Sequence, residues 1–171
     1  METMIAGGIF VSVGLMAVLW LTGTSNLWWT STTQSYLRTS AQHAMDRVLG
    51  ELRSATRAAA ASPPNAVIAA DNATLTFYLP ADGVDANTLI VDALGNTEWD
   101  LVNAVQYAAA GGQLRRTQAG VTTVYANDVQ SVRFDNAAYP NEIRVTLTLQ
   151  KQTPQGRTVS ATAVETVRLR N

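Results

Sequence analysis

The sequence predicts an α+β protein in which a long N-terminal helix, half transmembrane and half amphipathic, packs on an antiparallel β-sheet. Three patterns support this prediction. Residues 4–23 carry no charge, residues 34–61 repeat apolar side chains at helical spacing, and the chain from Ala66 onward alternates with a period of two. The 171 residues suffice for one anchor and one modest domain. We divide the chain into a transmembrane helix (1–23), its amphipathic continuation (24–61) and a β-rich globular domain (62–171).

The apolar run follows Glu2 and extends over residues 4–23. Twenty residues of helix rise roughly 30 Å, which matches the hydrocarbon thickness of a bilayer. A secretory signal would have a basic start, a shorter apolar run and a cleavage site of small residues, whereas this run follows an acid and continues into further helix. We therefore expect a retained, single-pass membrane anchor.

Three tryptophans, Trp20, Trp28 and Trp29, stand at and just beyond the end of the apolar run. Indole prefers the headgroup layer of a membrane, so these residues are candidates for an interfacial belt. Packing of Trp28 and Trp29 on the globular domain is an equally open alternative. The polar stretch Thr30–Ser35 either continues the helix or kinks it.

The segment Gln34–Ala61 predicts an amphipathic helix. Its apolar side chains recur at spacings of three and four and form one stripe: Leu37, Ala41, Ala44, Met45, Val48, Leu52, Ala55 and Ala59. Its charged side chains fall mainly off that stripe: Arg38, Asp46, Arg47, Glu51, Arg53 and Arg57. Ser62-Pro63-Pro64 is predicted to stop the helix, because proline cannot donate the backbone hydrogen bond.

Alternating segments separated by turn residues predict strands over the rest of the chain. They are Thr74–Leu79, Thr88–Val91, Ala104–Ala108, Gln113–Thr117, Thr122–Tyr125, Val129–Phe134, Ile143–Leu149 and Thr158–Leu169. The clearest is Ile143–Leu149, whose apolar side chains share one face, as expected for a sheet with one face on the long helix and one in solvent. Gly111-Gly112 predicts a hairpin turn, and Pro154-Gln155-Gly156 predicts a second turn.

Composition excludes several classes of function. The chain has no cysteine, so it has neither disulfides nor thiolate chemistry. Its net charge is −1 with acids and bases interspersed, and Arg115-Arg116 is too short a basic run to indicate nucleic-acid binding. No motif indicates a cofactor, and Gly111-Gly112 does not follow the strand-to-helix pattern of a phosphate-binding loop.

Candidate catalytic and metal-binding residues are few. His43 is the only histidine, and no nucleophile motif accompanies it. The loop containing Asp82, Asp85 and Asn87 offers oxygen ligands for calcium, but it lacks the spacing and the terminal glutamate of an EF-hand. Asn72-Ala73-Thr74 matches the glycosylation triplet, which is common by chance. We expect a protein that is not an enzyme.

The residues Glu2 to Phe10, which read ETMIAGGIF, closely resemble the start of type IV pilins and pseudopilins, of the form E-x-M-I-A-x-x-I-F. Later stretches narrow the resemblance. The segments GQLRR (112–116), VYANDV (124–129) and VRLRN (167–171) are similar to the J-type minor pseudopilin of type II secretion and to PilW-like minor pilins. The similarity is specific over residues 2–23 and looser after about residue 60.

The resemblance implies a pilin-like fold and a structural role in a filament. It implies that Glu2 pairs with the N-terminal amine of a neighbouring subunit, which would offset a charge costing roughly 2.5–3.5 kcal/mol in a membrane. It also implies close helix contacts at Gly7, Gly8, Phe10 and Gly14. The implied partners are other pseudopilins or minor pilins at the filament tip, and the implied location is the bacterial inner membrane, with the globular domain in the periplasm or outside the cell.

Two features differ from the family pattern. Family precursors carry a short basic leader that a prepilin peptidase removes, and here Met1 stands directly before Glu2. Either further residues lie upstream, or Met1 is the true start and neither the processing nor the amine pairing applies. No Lys or Arg precedes residue 38, so the orientation rests on the resemblance alone. Leu19 stands near the position where major pilins often carry proline, which favours a minor subunit.

Two rival functions remain open at this point. One is a membrane-tethered, extracytoplasmic binding module that joins no filament, for which Glu2 would be dispensable. The other is an anchored envelope enzyme acting through His43 and the Asp82 loop. The sequence does not distinguish a secretion pseudopilus from a pilus or a DNA-uptake machine.

Overall fold

A computed structural model of the protein describes residues 2–56, 65–81, 97–136 and 141–169. Its first element is one unbroken helix, α1 (Glu2–Leu52), of 51 residues and about 76 Å. The polar stretch 30–35 continues this helix without a kink. Thr30 is accommodated because its hydroxyl donates a hydrogen bond to the carbonyl of Asn26 at 2.8 Å, one turn earlier.

The helix ends at Leu52, earlier than the predicted boundary at residue 61. Tertiary hydrogen bonds explain the difference. The backbone N–H of Thr56 donates to the carbonyl of Tyr78 at 3.1 Å, and the N–H of Tyr78 donates to Thr56 Oγ1 at 3.3 Å. This pairing holds the chain after the helix against the end of a strand. The chain therefore leaves the helix after Leu52, even though its apolar residues continue at helical spacing. Ser62-Pro63-Pro64 and Ala59 lie outside the described residues.

The described strands form two antiparallel sheets, whereas the sequence predicted one. The first has the order β1-β2-β3-β4-β5 and the second the order β6-β7-β8. The strands are β1 (Val67–Ile68), β2 (Thr74–Phe77), β3 (Val105–Ala110), β4 (Gln113–Gln118), β5 (Val121–Ala126), β6 (Val129–Asn136), β7 (Glu142–Gln152) and β8 (Thr158–Arg168). The break falls after β5, where Asp128 has a positive φ of 58° and the N–H of Val129 donates to the carbonyl of Gly112 instead of to β5.

The predicted strands that fall on described residues are confirmed. The turn at Gly111-Gly112 joins β3 to β4, and the turn at Pro154–Gly156 joins β7 to β8. The structure adds β1, which at two residues is too short to give a period-two signal. The predicted strand Thr88–Val91 lies outside the described residues.

The helix and both sheets share one hydrophobic core. The predicted stripe from Leu37 to Ala55 is buried, and Leu49 joins it. In β7 the side chains alternate as predicted, with Ile143, Val145, Leu147 and Leu149 buried. The alternation directs one face of the sheet toward α1, and this face positions the globular domain on the second half of the helix.

The turn between β4 and β5 carries a local strain. Its central residues, Ala119 and Gly120, both have positive φ angles, of 50° and 77°. Glycine adopts this region freely, whereas an alanine there brings its Cβ close to the following carbonyl, at a cost of roughly 1–2 kcal/mol. Ala119 is exposed, so the strain does not come from packing.

Replacing Ala119 by glycine is therefore expected to stabilise the protein. Relief of the strain exceeds the added backbone entropy of glycine, and we expect a gain of about 0.5–1 kcal/mol in the free energy of unfolding. Ala109→Gly, at an exposed position within β3, is the matched control and is expected to destabilise by a similar amount. Chemical denaturation of the full chain in detergent micelles, followed by circular dichroism, measures the free energy of unfolding of both variants. A loss of stability in Ala119→Gly would show that Ala119 is not strained.

Candidate functional site

The first half of α1 is a long apolar rod that extends beyond the globular domain. From Ile5 to Ser25 every side chain is exposed. The helix is long and apolar enough to span a membrane, with a mean hydropathy of 2.1 in its most apolar window and none of that window buried. An exposed apolar surface of this size indicates a membrane or protein partner.

Three of the five residues predicted for subunit assembly share one face of the rod. At 100° per residue, Gly7, Phe10 and Gly14 fall on a single stripe, which Ala17 continues. Phe10 is 83% exposed. Cβ atoms added at either of these glycines would meet nothing within 4 Å, so the space above them is free for a neighbouring helix.

The other two predicted assembly residues do not belong to this stripe. Gly8 lies about 100° away around the helix, on a separate face. Glu2 begins the helix, but its side chain lies outside the part of the chain that the structure describes. The predicted calcium ligands Asp82, Asp85 and Asn87 also lie outside the described residues.

Trp20 lies on the exposed rod and Trp28 and Trp29 lie just beyond it, all three outside the core. Trp20 is 73% exposed and Trp28 58%, and the hydrophobic core of the described residues includes none of the three indoles. Trp28 and Trp29 contact each other edge to face, with ring centroids 4.8 Å apart. Exposure of this degree does not fit packing of Trp28 on the domain. Location of the indoles in the headgroup layer of a membrane stays a prediction.

A cluster of polar groups, which we call the Glu51 cluster, joins the helix to the first sheet. Its members are Glu51, Tyr107, Arg116 and Tyr125. Both tyrosine hydroxyls donate to the Glu51 carboxylate at 2.9 Å, and Arg116 Nε donates to both carboxylate oxygens at 2.8 and 2.9 Å. One carboxylate thus ties α1 to β3, β4 and β5.

Burial and charge shift the pKa values in the Glu51 cluster. Burial, followed by the charge of Glu51, raises the pKa of Tyr107 far above its usual range. Burial and the hydrogen bond to Glu51 also raise the pKa of Tyr125. For Arg116 burial alone lowers the pKa, but the hydrogen bond and charge of Glu51 outweigh it, so the pKa is raised. Tyr107, Tyr125 and Arg116 therefore keep their protons at neutral pH, which suits a structural connection better than proton transfer.

The Glu51 cluster was not predicted from the sequence, because Glu51 is charged and was assigned to the helix face away from the apolar stripe. The spacing held a usable signal, since residue 51 stands three after Val48 and four before Ala55, on the same helix face. In β3, Tyr107 follows the exposed Gln106 and shares the buried face with Val105, which is a usable alternation signal. In β5, both neighbours of Tyr125 are apolar, so its strand held no such signal.

His43 lies in an open groove on the exposed side of the helix. Thr39, Ser40, Arg47 and Tyr125 line the same groove. Arg47 lies over the ring of Tyr125 at 5.7 Å and so continues the Glu51 cluster outward. Within the described ranges, no group of three His, Asp or Glu side chains could hold a metal ion.

Comparison of this chain with protein-family models, with curated proteins and with solved structures gives no match. The geometry defines a class nonetheless. The chain is an α+β protein with a long N-terminal helix whose second half packs on antiparallel sheets and whose first half is a candidate membrane span.

Glu51→Gln is expected to lower the free energy of unfolding by about 2 kcal/mol. The substitution removes the charge that accepts three donors and leaves the half-buried Arg116 without its ion-pair partner. Glu165→Gln, at an exposed position in β8, is the matched control, with an expected change within about 0.5 kcal/mol. Denaturant unfolding of the full chain in micelles provides the measurement, and equal stabilities of the two variants would show that the cluster contributes nothing.

Stability is expected to fall as the pH rises above about 10. The pKa of Tyr107 is raised in the folded state, so only the unfolded chain releases this proton above the ordinary tyrosine pKa of about 10, and the unfolded state gains relative to the folded one. Below that pH the contribution of Tyr107 is fully present. Tyr107→Phe should flatten the alkaline decline of the unfolding free energy, whereas Tyr36→Phe, which removes an exposed hydroxyl outside the cluster, should not. An unchanged slope in Tyr107→Phe would refute the assignment.

Proposed function

We propose that the chain is a structural minor subunit of the type IV pilin and pseudopilin class. In this proposal residues 4–23 hold it in the bacterial inner membrane, with its globular domain on the outer side. The subunit is then extracted into the tip of a short filament, a type II secretion pseudopilus or a type IV pilus. It needs no cofactor and converts no substrate, and its partners are other minor pilins or pseudopilins.

One observation carries most of the proposal. The apolar rod from Ile5 to Ser25 is exposed along its whole length and is rigidly continuous with the buried stripe of the same helix. A passive tether needs no rigid connection to its domain, whereas a subunit of a helical filament core does, because the helix fixes where the domain lies on the filament surface.

Two further features support assembly over simple anchoring. The start of the chain, ETMIAGGIF, is similar to that of pilins. The stripe of Gly7, Phe10, Gly14 and Ala17 also combines small residues with one projecting ring, and this arrangement lets neighbouring helices approach closely. Both features lie in the part of the helix that makes no contact with the globular domain.

The decisive experiment compares filament incorporation of Glu2→Ala with that of the unchanged protein in the native host. We expect the variant to fold and to remain in the membrane fraction but to be lost from sheared filaments, because no carboxylate is left to pair with a neighbouring amine. Thr3→Ala is the control at the adjacent position. Normal secretion or piliation in Glu2→Ala would contradict the proposal and favour the membrane-tethered binding module.

A second pair of variants in the same experiment tests the helix stripe. Gly14→Leu fills the free space on the stripe, whereas Gly23→Leu adds the same side chain outside it, and neither new Cβ contacts the rest of the fold. We expect Gly14→Leu to reduce incorporation about tenfold, which corresponds to the loss of one close helix contact. Equal incorporation of the two variants would count against a specific helix interface.

A further inference from the structure

The turn between β7 and β8 lies beside α1 at the end of the predicted membrane segment, although about 130 residues separate them in the chain. Gln155, at the tip of this turn, lines one small groove together with Leu21, Thr22, Ser25 and Asn26 of the helix. Asn26 and Thr30 are the first half-buried residues of α1 and mark where contact with the globular domain begins. The tip of the turn therefore lies beside the helix at residues 21–26.

This is the level at which the apolar run ends. The uncharged segment closes at Gly23, and the exposed indoles of Trp20 and Trp28 stand on either side of that position along the helix. When residues 4–23 cross the hydrocarbon layer, the headgroups surround residues just beyond Gly23. The tip of the β7–β8 turn then lies in the headgroup layer as well.

The turn presents a cation at this level. Its backbone is fixed by three hydrogen bonds. The N–H of Thr153 donates to the carbonyl of Arg157, the N–H of Gly156 to the carbonyl of Thr153, and the N–H of Arg157 to Thr153 Oγ1. Residues 154–158 are all exposed, so the guanidinium of Arg157 stands on a rigid turn that faces the solvent. A guanidinium binds phosphate oxygens with two parallel hydrogen bonds, and this favours it over other cations for phosphate recognition.

Lys151, the cation nearest to Arg157 in this hairpin, lies farther from the membrane segment along α1. Lys151 contacts Asp128 at 3.3 Å and lies 4.8 Å from the centre of the Tyr36 ring. Tyr36 stands ten residues beyond Asn26, which corresponds to about 15 Å along the helix axis. Arg144 and Arg168 lie at the opposite end of the hairpin, where Glu142 pairs with Arg168. Among the cations of the hairpin, Arg157 is therefore the one placed to reach the headgroup phosphates.

We propose that the β7–β8 turn is a lipid-binding site in which Arg157 binds the phosphate of an anionic phospholipid. The proposal rests on membrane anchoring through residues 4–23 but not on filament assembly. Together with the anchor, the turn gives the domain a second attachment to the membrane surface, about one helix diameter from the first. Two attachment points restrict the tilt of the long helix, and one would leave it free.

Site-specific labels on the full chain in anionic phospholipid vesicles test this placement. The chain has no cysteine, so a single introduced cysteine carries a nitroxide label at one defined place. Gln155→Cys reports the tip of the β7–β8 turn. Ala119→Cys, in the turn between β4 and β5, is the matched control.

The control turn lies far from the membrane segment, because it is only three residues from Arg116 in the chain. Arg116 of β4 contacts Glu51, which is 25 residues or about 38 Å along α1 from Asn26. Nickel chelated to lipid headgroups relaxes labels only within a short distance. We expect strong relaxation at residue 155 and relaxation at residue 119 no greater than in vesicles without nickel.

A third label distinguishes membrane anchoring by α1 from lipid binding by the β7–β8 turn. Val11→Cys lies in the middle of the apolar rod and should be accessible to oxygen dissolved in the lipid. If residue 11 lies in lipid and residue 155 is not relaxed by the nickel lipid, the lipid-binding site is refuted while the anchor stands. If residue 11 is outside the lipid, anchoring itself fails.

The role of Arg157 has its own readout. With the label at residue 155, Arg157→Glu should reduce nickel relaxation several-fold in anionic vesicles, while Arg133→Glu, at an exposed position in β6, should leave it unchanged. Equal relaxation in both variants would refute phosphate binding by Arg157. Relaxation at residue 155 that requires a second copy of the chain would assign the turn to a subunit interface and overturn the proposal.

Discussion

The whole structure depends on one continuous helix, whose second half is packed against the sheets and whose first half is exposed. From Leu37 to Leu52 its small and branched side chains are buried against the sheets, and from Ile5 to Ser25 the same helix is exposed and apolar. Because the helix is unbroken, the position of the sheets on the second half determines where the domain lies relative to the first. The partly buried polar residues Asn26 and Thr30 lie between these two regions. They allow the β7–β8 hairpin to lie beside α1 without a continuous apolar surface from the exposed half of the helix to the core.

The Glu51 cluster complements the apolar stripe at the other end of this contact. Hydrophobic packing holds α1 against β7 and β8 but specifies its rotation only loosely, since an apolar stripe tolerates small shifts. A carboxylate that accepts hydrogen bonds from three strands has one satisfactory position. Its partners stand on the first sheet, so the cluster joins that sheet to a helix which otherwise packs mainly on the second.

Local patterns in the sequence predicted most of the fold. Alternation identified β7 correctly because one of its faces is buried along its whole length, and helical spacing identified the stripe from Leu37 to Ala55. The errors arose where tertiary contacts overrode local pattern. The helix stops at Leu52 because Thr56 pairs with Tyr78, and the single predicted sheet divides where Val129 bonds to Gly112. Glu51 was assigned to the solvent-facing side of the helix because it is charged, although its spacing places it on the buried face. The partners that stabilise its charge are more than fifty residues away in the chain.

The exposed half of α1 requires an apolar surrounding, because each large apolar side chain left in water costs roughly 1.5–3 kcal/mol relative to burial. Lipid and a bundle of neighbouring helices satisfy this requirement equally, so the hydrophobic effect does not choose between them. The choice falls to contacts that lipid cannot make: close backbone approach at Gly7 and Gly14 and a charged partner for Glu2. All of these residues precede Leu15. The globular domain could therefore be identical in a passive tether and in a filament subunit, and the distinction between them lies in the beginning of the helix.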